Sequence, residues 1–307
     1  RWTFLGKTGS PTLAIHQFRL DHCTFQNGYD NDGLVFYGEI YGVIDNCILY
    51  GVAREFSFNE ITWSSFTFNY GTANNRYYED NTIYLLENST CIEGGLGGRY
   101  CYRYNTFYNQ ASYGIQPWFD MHGNMGSGGN HSTMGAEIYG NVVYAGNKTI
   151  QMFDQRGGKL IAFNNNALNA SSGAPGKTRE EYYDYTNSPE TNPAGQPQHV
   201  SDSYYWNQSA NGSVMYDYSI EQTLDYGGGI GLVPRWDVHC FKQVQNFDGS
   251  SGVGVGPLSK RPVSCTTEGV AWWAADENKL YRWHNGQWEL YYVLYTYPHP
   301  LRTTLAD

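Results

Sequence analysis

The chain has 307 residues and a formal net charge of −10, with 36 glycines, 28 tyrosines and 17% aromatic residues. Glycine is a poor helix former and tyrosine favours strands, so this composition excludes a helical bundle, and the aromatic content excludes an intrinsically disordered chain. The acidic balance argues against a nucleic-acid partner, and no apolar run approaches the ~18 residues of a membrane span.

A repeated pattern runs through the first half of the chain. Each copy has an apolar or aromatic residue, two variable residues, Asn or Cys, a spacer and a second apolar residue. The fourth positions are Cys23, Cys47, Asn81, Asn105, Asn141 and Asn165. They are separated by 24, 34, 24, 36 and 24 residues. The recurring interval predicts one structural unit with loop insertions at one corner, and residues 202–207 are a weaker further copy.

Short strands without helical periodicity must pair their edges with other strands. A coil of about two dozen residues, wound so that equivalent strands pair in parallel, meets this need. An Asn at the same turn of every coil hydrogen-bonds to the coils on either side. Over residues 15–170 this pattern resembles the right-handed parallel β-helix of the pectate-lyase-like superfamily. The resemblance implies the fold but no single chemistry, because that fold hosts lyases, hydrolases, esterases, phage spikes and adhesins.

The candidate catalytic residues lie one strand before the ladder. Residues 118–123 (Trp-Phe-Asp-Met-His-Gly) align position by position with residues 152–157 (Met-Phe-Asp-Gln-Arg-Gly). In adjacent coils the matched residues would lie about 4.8 Å apart, on the face opposite the inward phenylalanines. The matched polar pairs are Asp120 with Asp154 and His122 with Arg156. The insertion 124–135 would wall a groove beside them, and Glu93 in the preceding coil would extend the acidic row.

Three interpretations of these four residues stay open. In a lyase acting on a uronic-acid polymer, Arg156 would neutralise the substrate carboxylate and His122 would remove the adjacent proton. In a glycoside hydrolase, Asp120 and Asp154 would form the carboxylate pair, and a separation of ~5 Å is typical of a retaining mechanism. Without chemistry, the two cations would offset two stacked aspartates in a salt-bridge ladder.

Further residues are candidates for substrate or metal binding. Those assigned to an acidic polysaccharide are Glu93, Trp118, Arg99 and Arg103. In the sequence Asp30-Asn-Asp-Gly33, Asp30 and Asp32 place oxygen ligands at alternate positions, as Ca²⁺ loops do, although a plain turn is the alternative. Ca²⁺ is the only cofactor that the sequence suggests.

The second half of the chain is less regular. Residues 171–200 are rich in Ser, Pro, Gly and Asn and are predicted to form a long loop. After Gly-rich runs, residues 269–292 predict a small antiparallel aromatic unit with a turn at Asn285-Gly286, which either caps the solenoid or stacks sugars. The predicted division is therefore 1–225 for the β-helix and 226–307 for the Gly-rich loop and C-terminal cap. The ending Tyr295–Leu301 resembles a C-terminal signature of secreted β-helix proteins without a known activity.

Cysteines and glycosylation sequons favour an extracellular or cell-surface location. The predicted disulfides are Cys240–Cys265, Cys91–Cys101 and Cys23–Cys47, and the last pair is alternatively two stacked thiols. The sequons begin at Asn88, Asn130, Asn147, Asn169, Asn207 and Asn211. A start at Arg1 rather than Met predicts a processed N-terminus.

The sequence therefore predicts an extracellular carbohydrate-active β-helix protein whose partner is an acidic polysaccharide. A polysaccharide lyase is the first enzymatic expectation and a hydrolase the second. The alternative is a non-enzymatic structural glycoprotein or carbohydrate-binding subunit, for which self-association is expected. The two classes differ in geometry, because an enzyme needs Arg156 unpaired in an open groove, whereas a structural protein would have the four residues satisfy one another.

Overall fold

Three parallel sheets run side by side along the chain in a computed structural model. It describes residues 2–5, 15–26, 34–38, 40–50, 53–56, 69–86, 92–95, 97–112, 117–123, 132–182, 199–221, 224–225 and 234–304. The chain visits the first, second and third sheets in turn and pairs each strand in parallel with its equivalent in the next coil. This arrangement confirms the predicted all-β parallel β-helix.

The strands of the three sheets are short, as the spacing of the turns predicts. The first sheet contains Trp2–Leu5, Leu34–Tyr37, Ala53–Phe56, Ile92–Gly95, Phe119–Met121, Phe153–Gln155, Lys177–Thr178 and Ser219–Ile220. The second contains Ile15–Asp21, Ile40–Asp45, Arg76–Glu79, Arg99–Arg103, Gly135–Tyr139, Lys159–Phe163, Ser203–Trp206 and Cys240–Lys242. The third contains Thr24–Gln26, Ile48–Tyr50, Thr82–Leu85, Thr106–Asn109, Val142–Gln151, Asn166–Ala174 and Ser209–Ala210, with Ser213–Val214 added antiparallel.

Smaller elements complete the described chain. Glu181–Tyr182 pairs with Leu224–Asp225. A four-stranded C-terminal sheet contains Val253–Gly256, Ala271–Ala274, Lys279–His284 and Gln287–Val293. A 3₁₀ helix spans Leu258–Lys260 and a short α-helix spans Leu301–Thr304. No helix in these described ranges is long and apolar enough to cross a bilayer.

The turn between the second and third sheets explains the repeated pattern. The residue before each ladder position has a positive φ, between 51° and 68°, as at Asn46 and Gly140. The ladder side chains are hydrogen-bonded from coil to coil. For example, the Asn141 backbone N–H and its Nδ2 donate to Asn165 Oδ1 over 3.1 and 2.8 Å. The sharp turn exposes backbone groups inside the solenoid, and the Asn amides satisfy them.

The inward faces of the three sheets form one apolar core. Equivalent aromatic residues of adjacent coils stack there, as Tyr78 and Tyr102 do with ring centroids 4.1 Å apart and an interplanar angle of 7°. Because the strands are in register, each inward-facing residue lies directly above the equivalent residue of the next coil. The stacking therefore holds neighbouring coils together as well as excluding water.

The C-terminal sheet packs against the outer face of the second sheet. Phe163 and Trp206 stack on that face with centroids 4.4 Å apart. Trp273 of the C-terminal sheet contacts both rings, at 5.0 and 4.9 Å. Tyr292 donates a 2.7 Å hydrogen bond to the buried Glu137. This aromatic unit thus covers one side of the solenoid, and its role as an end cap stays a prediction.

Free thiols replace the predicted disulfides. The cysteines that the structure describes are all unbridged: Cys23, Cys47, Cys101, Cys240 and Cys265. Cys240 is buried in the solenoid core, whereas Cys265 packs with the C-terminal sheet beside Gly249, so the predicted Cys240–Cys265 bridge is wrong. Cys101 is buried as a thiol, and Cys91, its predicted partner, lies outside the described residues.

Cys23 and Cys47 occupy ladder positions as two stacked thiols, the alternative to a bridge. Each thiol donates to the carbonyl oxygen two residues earlier, Asp21 O at 3.2 Å and Asp45 O at 3.3 Å. Asn105 Nδ2 makes the same contact with Arg103 O at 3.1 Å. A thiol can therefore replace the ladder amide as a hydrogen-bond donor, and the two cysteines satisfy these carbonyl oxygens without a disulfide.

Candidate functional site

The strands that carry Asp120 and Asp154 pair in the register that the alignment predicts, and His122 and Arg156 each lie one residue beyond the end of one of these strands. Asp120 lies opposite Asp154, and Glu93 lies opposite Asp120 in the preceding coil. Phe119 and Phe153 point into the core, so the polar residues share the outer face of the first sheet. Two-residue alternation along adjacent strands is therefore what assembles the cluster.

Arg156 is the centre of this cluster. Its Nε donates to Asp120 Oδ1 over 2.9 Å, and its Nη2 donates to the other oxygen of the same carboxylate. Its Nη1 donates to Glu181 Oε1 over 2.8 Å. The residue is only 7% exposed. A bidentate pair with one carboxylate and a second carboxylate on the remaining nitrogen give every guanidinium nitrogen a carboxylate partner and use three of its five N–H groups.

His122 lies between the carboxylates of Glu93 and Glu181. Its Nε2 is 2.9 Å from Glu93 Oε1, and its Nδ1 is 3.2 Å from Glu181 Oε2. Burial lowers the pKa of His122, but the hydrogen bonds to Glu181 and Glu93 outweigh it and raise the pKa to about 9. A pKa of about 9 favours the protonated ring at neutral pH, in which Nε2–H donates to Glu93. In the neutral ring, Nε2 instead accepts from Arg156 Nη2, which lies 2.8 Å away.

Glu181 is the functional residue that sequence reasoning missed. It accepts hydrogen bonds from Arg156 and from the Gly123 backbone N–H, the latter over 3.1 Å. Burial raises the pKa of Glu181, but the hydrogen bond from His122 and the charge of Arg156 lower it further than burial raises it. The predicted loop 171–200 is wrong at its start, because strands continue through Ala174, Thr178 and Tyr182. Residues 183–198 lie outside the described ranges.

Asp154 has cations on one side and an unpartnered oxygen on the other. Arg179 Nη2 donates to Asp154 Oδ2, and Lys177 Nζ is 3.6 Å from the same oxygen. Asp154 Oδ1 is buried and has no hydrogen-bond partner among the described residues. Burial, followed by the nearby Asp120 charge, raises the pKa of Asp154 to about 6, although Arg179 partly opposes the shift. The two aspartates are thus adjacent but chemically different.

Three residues assigned to substrate binding have buried side chains. Trp118 is fully buried in the core, with its ring edge-on to Phe107 at 6.0 Å. Arg99 is buried, and its Nη1 donates to Tyr41 over 2.5 Å. The third residue, Arg103, is described with the C-terminal segment below. Only Glu93 of the four assigned residues joins the first-sheet cluster.

Arg103 fastens the C-terminal segment to the second sheet. It is fully buried, pairs with Glu79 and donates to the carbonyl oxygens of Tyr295 and Thr296 over 2.7 and 2.6 Å. Arg302 donates to Glu79 from the other side over 3.0 Å. The residues around the signature Tyr295–Leu301 therefore form a clamp on the solenoid. Such a buried arginine is inaccessible to a polysaccharide.

Parts of the predicted metal and glycosylation sites lie outside the described residues. Asp30 and Asp32 lie outside them, and no group of three potential metal-ligating side chains occurs within them. Asn88 and Asn130 also lie outside, whereas Asn147, Asn169 and Asn211 are exposed and Asn207 is half-buried. The Asn211 side chain is hydrogen-bonded to both backbone groups of Ala170, at 3.2 and 2.8 Å.

The charge state of His122 predicts a pH dependence of stability. Its pKa of about 9 in the folded chain lies above the ordinary 6.5, so its contribution is complete below pH 6.5 and disappears as the pH rises through 9. We expect the free energy of unfolding to fall by up to about 3 kcal/mol across this window. Urea denaturation of the wild type and of His122→Gln at several pH values measures it.

Two histidine substitutions test whether His122 causes this fall in the free energy of unfolding. His122→Gln is expected to flatten the pH profile between 6.5 and 9. His16→Gln, at an exposed position, is the matched control and is expected to keep the wild-type slope. An unchanged slope in His122→Gln would contradict a protonated, paired imidazole.

Comparisons with known proteins identify no relative of this chain. No family model, no curated protein and no solved structure matches it. The function must therefore be argued from the geometry of the site itself.

Proposed function

We propose that the protein is an extracellular or cell-surface β-helix protein of the pectate-lyase-like type that binds polysaccharide without cleaving it. The first-sheet cluster then joins successive coils instead of carrying out a reaction. The observation that carries the absence of cleavage is the pairing of Arg156 with Asp120 and Glu181 in an almost fully buried position. A cation that is paired with two protein carboxylates and shielded from solvent cannot reach a substrate carboxylate unless the cluster rearranges.

The same geometry weakens the lyase hypothesis at neutral pH. A lyase base must be unprotonated, whereas the carboxylates around His122 hold its pKa at about 9. The neutralising cation must reach the substrate, whereas the Arg156 donors face protein carboxylates. A lyase would need both residues to be released from Asp120 and Glu181 before it could act.

A hydrolase is the second candidate, because the two aspartates differ in their environments. Asp120 is paired with the Arg156 guanidinium, whereas burial raises the pKa of Asp154 to about 6, and its Oδ1 has no hydrogen-bond partner among the described residues. Two carboxyl groups in different environments on adjacent strands are what glycoside hydrolysis requires. Asp154 is only 1% exposed, which works against this candidate.

Exposed sequons, and not paired cysteines, support the extracellular location. Two exposed sequon asparagines, Asn147 and Asn169, agree with a glycosylated surface. The even number of cysteines gives it no support, because the described cysteines are free thiols. Treating the protein from its native source with a peptide N-glycosidase, followed by intact mass measurement, tests glycosylation directly.

The proposal predicts binding without turnover. We expect affinity electrophoresis through gels that contain a panel of uronic-acid and neutral polysaccharides to retard the protein in at least one gel. Incubation with the same polymers should give no rise in absorbance at 235 nm and no new reducing ends. The absorbance reports lyase products, and the reducing ends without absorbance report hydrolysis.

Variants assign any activity that appears. A rise at 235 nm that is lost in His122→Gln would replace the proposal with the lyase. New reducing ends lost in Asp154→Asn would replace it with the hydrolase. Unretarded migration in every gel would contradict polysaccharide binding itself.

A further inference from the structure

A polar crevice lies between the solenoid and the C-terminal sheet, away from the first-sheet cluster. Its volume is about 280 Å³, near the lower end of small-molecule sites. The lining residues come from four separate parts of the chain and are Asn69, Tyr70, Lys159, Asp202, Arg282 and Tyr291. No sequence motif singles out these residues, because only the packing of the C-terminal sheet on the solenoid brings them together.

The crevice holds more positive than negative charge. Lys159 Nζ lies 3.0 Å from Asp202 Oδ2, and Arg282 Nη1 lies 3.5 Å from Asp202 Oδ1. Two cations therefore share one carboxylate, which leaves one positive charge in a chain whose net charge is −10. The Arg282 Nε is shielded from water and has no hydrogen-bond partner in the described part of the chain.

Aromatic surface adjoins these cations. The rings of Tyr70 and Tyr291 meet edge to face with centroids 6.2 Å apart. The Arg282 guanidinium carbon lies over the Tyr291 ring, 4.5 Å from its centroid. Tyrosine rings pack against the C–H faces of sugars, and the planar guanidinium of arginine presents a fork that matches a carboxylate.

We propose that this crevice binds one uronic-acid residue of an acidic polysaccharide. The sugar carboxylate pairs with Lys159 and Arg282, competing with Asp202, and the sugar ring packs against Tyr70 and Tyr291. This inference rests on the proposed function, because it names the site and the substrate class through which the protein binds polysaccharide. It is independent of any reaction at the first-sheet cluster.

Calorimetric titration of the full chain with a galacturonic acid tetramer tests the crevice. The fully methyl-esterified tetramer is the matched neutral probe, since it keeps the ring and loses the charge. We expect the acid to bind and the ester to bind at least about 10-fold more weakly, because the loss of one charge-assisted contact of moderate strength lowers the affinity about tenfold.

Three variants separate recognition from folding. Asp202→Asn removes the competing carboxylate and suits the backbone, because Asp202 has a φ of 44°, which Asn tolerates well. We expect it to bind the acid about 3- to 10-fold more tightly, whereas Lys159→Gln is expected to bind about 10-fold more weakly. Lys279→Gln removes an equal charge from an exposed pair with Glu277 and is expected to bind as the wild type does.

The outcomes distinguish the crevice from the proposed function. Tetramer or polymer binding that Asp202→Asn and Lys159→Gln leave unchanged would overturn the crevice and leave polysaccharide binding in place. Weaker binding in Asp202→Asn would show that the ion pair has a structural role only and would overturn the crevice as well. If neither the tetramer nor any polysaccharide binds, both the crevice site and the proposed function are overturned.

Discussion

Replacing Arg156 with methionine is expected to lower the free energy of unfolding by about 3–5 kcal/mol. The substitution removes the cation and leaves the buried carboxylates of Asp120 and Glu181 without their shared partner. Uncompensated buried charge is more costly than the loss of a surface ion pair, because water cannot replace the missing donor. Urea denaturation followed by tryptophan fluorescence at pH 7 measures the change.

Arg235→Met is the matched control for this prediction. Arg235 is exposed, so the same chemical change should alter stability by less than about 0.5 kcal/mol. Arg156→Lys is expected to fall between the two, because an ammonium keeps the charge and cannot make the bidentate contact with Asp120. If Arg156→Met were as stable as Arg235→Met, the cluster would not be a clamp between coils.

The local repeat made the fold and part of the site predictable. A spacing of 24 residues, recurring at Asn81 and Asn105, defines the coil length and the register together. Once the register is known, two-residue alternation places Asp120 and Asp154 on the same face. These inferences need only neighbouring coils and no knowledge of distant parts of the chain.

Burial by distant segments was not predictable in the same way. Arg103 resembles a surface cation in the sequence, but residues about 190 positions later cover it, and their carbonyl oxygens accept its hydrogen bonds. Glu181 reaches Arg156 from a two-residue strand, which is too short to give a periodic signal. The alternation of residue types does not show which outer face of a solenoid will be covered.

Asn and Cys share the ladder positions for a reason that the structure supplies. Cys47 Sγ lies 3.3 Å from the Asp45 carbonyl oxygen and 3.6 Å from the Leu20 carbonyl oxygen, and its single S–H can donate to either. The Asn141 amide likewise donates to the Tyr102 carbonyl of the preceding coil over 2.8 Å. A thiol therefore serves where only a donor is needed, whereas the oxygen of an amide also accepts from the preceding coil.

This difference predicts the effect of substituting Asn141 in the middle of the ladder. Asn141 Oδ1 accepts from both the backbone N–H and the Nδ2 of Asn105, each over 3.0 Å. Asn141→Leu leaves the Asn105 backbone N–H and the Tyr102 carbonyl buried without these partners, while Asn105 Nδ2 keeps its bonds to the carbonyl oxygens of Tyr78 and Arg103. We expect a loss of about 4 kcal/mol in the free energy of unfolding. Thermal and urea denaturation of the purified variant measure it.

Asn141→Cys tests the mechanism more sharply than the size of the loss. The thiol restores a donor to the Tyr102 carbonyl but accepts poorly from Asn105, so this variant is expected to lose about 1 kcal/mol less than Asn141→Leu. Asn246→Leu, at an exposed position, is the control and should change stability by less than about 0.5 kcal/mol. Equal losses in the Cys and Leu variants would mean that the ladder stabilises the coils through its acceptor alone, and a negligible loss in both would contradict the ladder as a source of stability.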